Sequence, residues 1–255
     1  MHFFCIIAYF FVFLQRICMI MEDFFSRSEA LLGAEGMDRL RNARVILFGV
    51  GGVGSWCAEA LIRTGLIHLT LVDGDVVQPS NVNRQLPATR ETIGRPKVEV
   101  LRERLLTINP EAEIEAVFEN YYADGKTESG ADLKIGEYDY VIDAIDSVAA
   151  KTDLIINATR VRGMKVFSSM GAALRFDPTA VTTGELMSIK GDALAKAVRA
   201  RMKKIGLHPY RKVRCVYSTE QAQACETRGS LMQVTAVFGC TLASMVINAL
   251  KTDNR

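Results

Sequence analysis

The stretch "RVILFGVGGVGSWCAEALIRTG", Arg44 to Gly65, decides the fold of this 255-residue chain. Arg44 to Val50 is a continuous apolar run that reads as a buried strand. Gly49, Gly51, Gly52 and Gly54 follow in a Gly-x-Gly-x-x-Gly pattern, and Val53 to Thr64 continues as a helix with Gly65 as its stop. Such glycines let the backbone turn tightly and aim helix N–H groups at phosphate oxygens. The motif alone fits NAD and ATP equally.

The same alternation continues outward. Phe24 to Leu40 reads as one or two short helices, with Ser26 or Ser28 as cap. Strands are expected at His68–Val72, Ile114–Phe118, Tyr138–Ile142 and Lys165–Ser169, and helices at Lys97–Leu106 and Ala149–Arg162. This predicts an α/β fold: a Rossmann-like, doubly wound, mainly parallel sheet covered on both faces. Beyond Asp177-Pro178 the pattern becomes a C-terminal α+β extension. Cys215 to Ser218 is strand-like there, and Leu231 to Leu250 is a buried helix whose polar residues argue against a membrane span.

Composition excludes several classes. Hydrophobic residues are 49% and charged residues 24%, with a net charge of +2, so no global field points to nucleic acid and any basic patch must be local. The six cysteines form no Cys-x-x-Cys pair and the three histidines are scattered, which predicts no structural zinc. Without a secretory leader they suit a reducing cytosol. Residues 1–20 stand apart: the apolar run from Phe3 to Leu14 is too short to span a membrane. It reads as an over-extended start, with Met19 or Met21 as initiator. An apolar leader and a segment packed on the fold are the alternatives.

Ligands bind beyond the carboxyl ends of the strands in such a sheet. Asp73 ends the second strand, 19 residues after Gly54, where its carboxylate can accept bonds from ribose hydroxyls. "DGDVVQPSNVNRQL" then places Asp75, Asn81, Arg84 and Gln85 in one loop, and "GRPKVE" puts Lys97 at a helix start. "DAIDS" puts Asp143 and Asp146 at the end of the fourth strand. Arg84 and Lys97 offer cations to a triphosphate, and Asp146 offers a hard oxygen to magnesium. A hydride-transfer enzyme needs none of these. The plainer alternatives are turn capping for Asp75 and Asn81, solvated charge for Arg84 and Lys97, and helix capping for Asp146.

Taken together, "GVGGVGS", "DGDVVQPSNVNRQ", "GRPKVE", "INP" and "DAIDS" resemble the ThiF/MoeB/HesA branch of the ubiquitin-activating-enzyme superfamily, over about Phe24 to Ser169. The resemblance implies ATP and magnesium activating a carboxylate as an acyl-adenylate. It assigns Gly49, Gly51, Gly52 and Gly54 to the phosphates and Asp73 to the ribose. Asn81, Arg84 and Lys97 go to phosphates and the transferring group, Asp75 and Gln85 to the same nucleotide site, and Asp146 to magnesium. Arg27 in "FSRSEALLG" aligns with an arginine the family supplies across a dimer interface to the γ-phosphate, implying a homodimer. On this basis residues 21–255 form one domain of this type, with an ATP-binding core at 38–178 and a substrate and dimer region at 179–255.

The sulfur-carrier branch usually has two Cys-x-x-Cys pairs, absent here. "GGVGSWCAEALIRTG", "SSMGA", "DPT" and "RCVYSTE" instead resemble the tRNA threonylcarbamoyladenosine dehydratases. That resemblance implies adenylation of the carboxylate of the threonylcarbamoyl group beside the tRNA anticodon, followed by ring closure. Lys190 to Arg214 carries nine Lys or Arg and one Asp, so Lys196, Arg199, Arg201, Lys203, Lys204, Arg211, Lys212 and Arg214 are candidate phosphate contacts, with Tyr210 or Phe176 as a stacking ring. Cys225 is expected to be exposed, and Cys57 and Cys240 to be buried in helices. A cysteine desulfurase system is a candidate partner, and the expected location is cytoplasmic. The alternatives are an adenylyltransferase for a ubiquitin-like sulfur carrier and a nucleotide-binding scaffold without turnover.

Overall fold

The computed structural model describes residues 24–122, 126–227 and 229–252. The expectations for residues 1–20 lie outside these. The chain runs α1 (Ser26–Asn42), β1 (Arg44–Phe48), α2 (Gly54–Thr64), β2 (His68–Val72), α3 (Lys97–Ile108), β3 (Glu113–Val117) and β4 (Tyr140–Asp143). It continues through α4 (Val148–Arg160), β5 (Lys165–Ser169), β6 (Val181–Glu185), α5 (Ala193–Ile205), β7 (Arg214–Ser218) and α6 (Met232–Thr252). One seven-stranded sheet orders them β3-β2-β1-β4-β5-β7-β6. Every pairing is parallel except β6 with β7.

The central strands are apolar because both their faces are covered. Val45 and Leu47 of β1 join a core with Leu61 and Ile62 of α2, Leu101 of α3 and Phe238 and Leu242 of α6. Ile46 and Phe48 face the opposite way, with Leu154 and Ile155 of α4 and Val198 and Met202 of α5. Helix α6 is long and apolar enough to cross a membrane by length and composition alone. Here Phe238, Leu242 and Val246 are fully buried in the first core.

Several local expectations shift. Helix α1 kinks at Gly33, whose φ is 70°. Its N-cap is Phe25, which makes no side-chain cap bond, so neither Ser26 nor Ser28 caps it. The apolar packing of the Phe25 ring against Gly65 and the core fixes this start instead. Strand β6 was not anticipated. Its sequence Val-Thr-Thr-Gly-Glu is short, mixed in polarity and at the sheet edge, so it carries neither a buried run nor a clean alternation. Cys57 is buried and Cys225 exposed, as expected, but Cys240 is exposed. The neighbouring Gly239 faces α2, and one residue further round the helix turns Cys240 outward.

Candidate active site

Strand order reverses between β1 and β4, and the crevice above that switch point is where an open parallel sheet binds its ligand. A cavity of about 500 Å³ lies there. Gly49 leaves β1 with φ 85°, and its N–H donates to Val72 O at 2.8 Å. A Cβ on Gly49 would stand 2.8 Å from Ala144 O, and one on Gly54 would overlap the Gly49 carbonyl oxygen. Only glycine permits this loop. Gly49, Gly51 and Gly52 line the cavity, and Gly49 and Gly54 make the turn that shapes it.

Asp73 is tied to this loop. Its Oδ2 accepts from Val50 N at 2.8 Å and its Oδ1 from Asp75 N at 2.9 Å. Burial pushes its carboxyl above the usual carboxylate range, against the opposing pull of Lys97 and the two backbone N–H groups. An ionised carboxylate so desolvated is a strong acceptor for a diol. Lys97, the first residue of α3, is buried, and its Nζ donates to Asp75 Oδ2 at 2.7 Å. Asp75 therefore holds Lys97 at the cavity wall and does not cap a turn.

The Asn81 to Gln85 loop forms another wall. Asn81 Oδ1 accepts from Gln78 N at 3.0 Å, so Asn81 braces its own turn as well as lining the cavity. Arg84 is half-buried, and its Nη1 donates to Ser80 O at 2.7 Å and Asn83 Oδ1 at 2.8 Å. Trp56 of α2 donates from Nε1 to Arg84 O at 3.1 Å, linking the loop to the glycine turn. The Gln85 Oε1 is buried in this wall without a hydrogen-bond partner among the described residues. An orphaned buried acceptor costs about 1–3 kcal/mol, which a ligand donor would relieve.

Asp146 is exposed and lines the cavity. It is not the cap of α4; that role falls to Ser147, whose Oγ accepts from Ala150 N at 3.5 Å. Among the described residues no three His, Cys, Asp or Glu side chains gather as a metal set. One carboxylate beside a phosphate cradle is nevertheless the donor set magnesium uses, since substrate phosphates and water complete its shell. Asp143 behaves differently. It is fully buried beneath the cavity, where its Oδ2 accepts from Lys151 Nζ at 2.6 Å and Ser168 Oγ at 2.5 Å. Lys151 Nζ also donates to Ser169 O at 2.9 Å, and Asp143 Oδ1 accepts from Ile145 N at 3.1 Å. This network fixes the Ala144 to Asp146 turn from below. Lys151 escaped sequence reasoning because "VAAKTDL" looks like an ordinary helix lysine.

Other lining residues were also missed: Asn120, Tyr121 and Thr235, together with the Met170–Ala173 turn. The Met170–Ala173 turn alone had a signal, since it follows a strand whose carboxyl end shares this edge. Arg27 is exposed on α1 and does not line the cavity of its own chain.

The matching family model is ThiF, over residues 25–255. The chain is 40% identical over 196 residues to the Bacillus subtilis tRNA threonylcarbamoyladenosine dehydratase, covering 77% of this chain and 74% of that one. It is 35% identical over 249 residues to the Haemophilus influenzae protein of the same name, covering 90% and 94%. The crystal structure of Escherichia coli tRNA N6-threonylcarbamoyladenosine dehydratase, TcdA, in complex with ATP superposes with a TM-score of 0.80 at 34% identity, covering 89% of this chain and 93% of that one. The cavity, the strand order and these likenesses agree: the chain belongs to the ThiF family and, within it, groups with the tRNA threonylcarbamoyladenosine dehydratases.

Proposed function

We propose that the protein binds ATP with magnesium and uses it to dehydrate the threonylcarbamoyl group on the tRNA adenosine beside the anticodon. The observation that carries this reading is the convergence of the glycine turn, Asp73, Lys97 and Asp146 on one cavity. Its relatives of similar length support the RNA substrate.

Asp73 accepts the ribose hydroxyls, and the N–H groups opening α2 face the phosphates. Lys97 and Arg84 neutralise charge on the phosphates. Asp146 would hold magnesium, whose positive charge would offset the negative charge of the triphosphate. Arg27 reaches the γ-phosphate from a second copy of the chain, making the enzyme a homodimer. A carboxylate is a poor electrophile because oxide is a poor leaving group. Its oxygen therefore attacks the α-phosphorus, and the bond to pyrophosphate breaks. An internal nitrogen of the carbamoyl unit then attacks the activated carbonyl carbon, loses its proton to solvent and expels AMP. The substrate has lost one water, whose oxygen leaves in AMP. A cytoplasmic location accords with an RNA substrate and with the free thiols of Cys57, Cys215, Cys225 and Cys240.

The test is incubation of the protein with ATP, magnesium and tRNA bearing threonylcarbamoyladenosine, followed by mass analysis of the nucleosides. Loss of one water from the modified nucleoside is expected. Unchanged nucleosides, with pyrophosphate exchange seen only when a ubiquitin-like carrier protein is added, would overturn the RNA substrate.

A further inference from the structure

The nine basic residues of Lys190 to Arg214 are separated by the fold. Arg199 on α5 donates from Nη1 to Leu186 O at 2.9 Å, and Arg201 Nη2 approaches Asp153 Oδ2 at 3.9 Å. These two are occupied by the protein itself. After Gly206 the chain returns to the sheet, where Arg211, Lys212 and Arg214 enter the wall of a second cavity of about 630 Å³. Lys165, the first residue of β5, completes a set of four cations around it. This recess sits at the amino ends of β5 and β7, the sheet edge opposite the nucleotide cavity.

Among the described residues no carboxylate lines the recess. Glu185, the register partner of Arg214, lies outside its wall and accepts from Ser188 Oγ at 3.1 Å. The two arginines donate to neutral acceptors: Arg211 Nη1 to Met164 O at 3.5 Å, and Arg214 Nη2 to Thr183 Oγ1 at 3.2 Å. Each guanidinium has five N–H donors, so most are left for a ligand. Thr241, Ser244 and Asn248 of α6 add neutral hydrogen-bonding groups from the other side. Arg211, Lys212 and Arg214 bring three like charges to one concavity, and these repel each other until an anion enters. Planar guanidinium forks with hydroxyls beside them match phosphate oxygens.

We propose that this recess is an exosite for the phosphodiester backbone of the RNA substrate, distinct from the site that binds nucleotide. The proposal rests on the RNA substrate argued above. Strand β5 joins the two sites, since Lys165 lines the recess and Ser169 lines the nucleotide cavity. Four steps of about 3.3 Å each separate them by only ~13 Å along the strand, within reach of one RNA stem-loop. Contacts of this kind fix position without reading sequence.

The experiment compares the full chain with the triple variant Arg211→Gln, Lys212→Gln, Arg214→Gln, and with Lys212→Gln alone in case the triple is unstable. The Kd for tRNA is measured across a salt series, alongside KM for tRNA and for ATP. Each lost phosphate contact lowers the slope of log K against log salt by about 0.7–0.9, so the triple should lose about 2 and the single change about 1. Affinity for tRNA should fall about tenfold or more at moderate salt. The KM for tRNA should rise while the KM for ATP stays the same.

A triple variant with wild-type Kd and slope would overturn the exosite. So would inorganic phosphate that raises the melting temperature of the wild type but not of the triple, with tRNA binding unaltered; that result marks a site for free anions. If the wild type itself neither binds nor converts the modified tRNA, the RNA substrate fails, a different outcome from conversion that proceeds without the recess.

Discussion

Replacing Lys151 by Met tests the buried network beneath the cavity. The methionine fills similar space but removes the charge that neutralises Asp143. Both side chains are fully buried, and the carboxylate would retain only Ser168 Oγ and Ile145 N as donors. Breaking a buried pair by removing one partner costs about 3–5 kcal/mol, because the remaining charge is uncompensated. For a domain of this size that lowers the melting temperature by about 6–20 °C. Thermal unfolding at pH 7, followed by circular dichroism, reads this directly. The double variant Lys151→Met with Asp143→Asn should be more stable than Lys151→Met alone, since the amide leaves no charge to bury. A Lys151→Met protein melting within about 2 °C of the wild type would refute the reasoning. So would a double variant that is less stable than the single one.

Three further outcomes follow from the geometry. Glu59 is buried, which pushes its carboxyl up, but bonds from Arg104 at 2.6 Å and Arg63 at 2.9 Å outweigh this and hold it below its usual range. Its stabilisation is present at neutral pH and is lost as pH falls through the lowered pKa. Glu59→Gln should therefore cost about 1 kcal/mol at pH 7, the arginines being partly solvated, and melting curves should converge with wild type on acidification; a constant gap would contradict this. Gly239→Ala would place a Cβ 2.7 Å from Trp56 Cβ and 2.8 Å from Cys57 N, so about 1–3 kcal/mol of stability should be lost in denaturant titrations, and unchanged midpoints would show that α6 can back away from α2. Arg27→Ala and Asp146→Ala should each abolish AMP formation while keeping the fold, yet their mixture should regain about a quarter of wild-type activity, because half of randomly formed dimers hold one intact site. No recovery after subunit exchange would argue that Arg27 serves its own chain.

The sequence exposed the parts of the site that are local in the chain. The glycine turn, Asp73 at a strand end and Lys97 at a helix start each follow from the run of residues around them. Asp146 was readable as a cavity residue, but its neighbour Asp143 was not separable from it. Three residues of spacing along "DAID" take one carboxylate into the cavity and the other under it. The rest depends on contacts between distant segments. Lys151 acquires its meaning only when β5 lies beside β4 and brings Ser168 to Asp143. Gly239 looks like any small residue in an apolar helix until α2 is packed against it. The basic segment was legible as charge, but its division between α5 and the recess was not, because Lys165 joins from 46 residues before Arg211.

Trp56 is the single tryptophan of the chain, and its indole N–H holds the backbone of Arg84 while its helix begins at the glycine turn. Tryptophan emission from this protein therefore originates at one place, between two walls of the nucleotide cavity. A triphosphate beside Arg84 would change the polarity around that indole. Nucleotide binding should thus be visible as a shift in tryptophan fluorescence, without a label and before any turnover. Trp56→Phe, which removes the signal and the bond to Arg84 O together, supplies the blank.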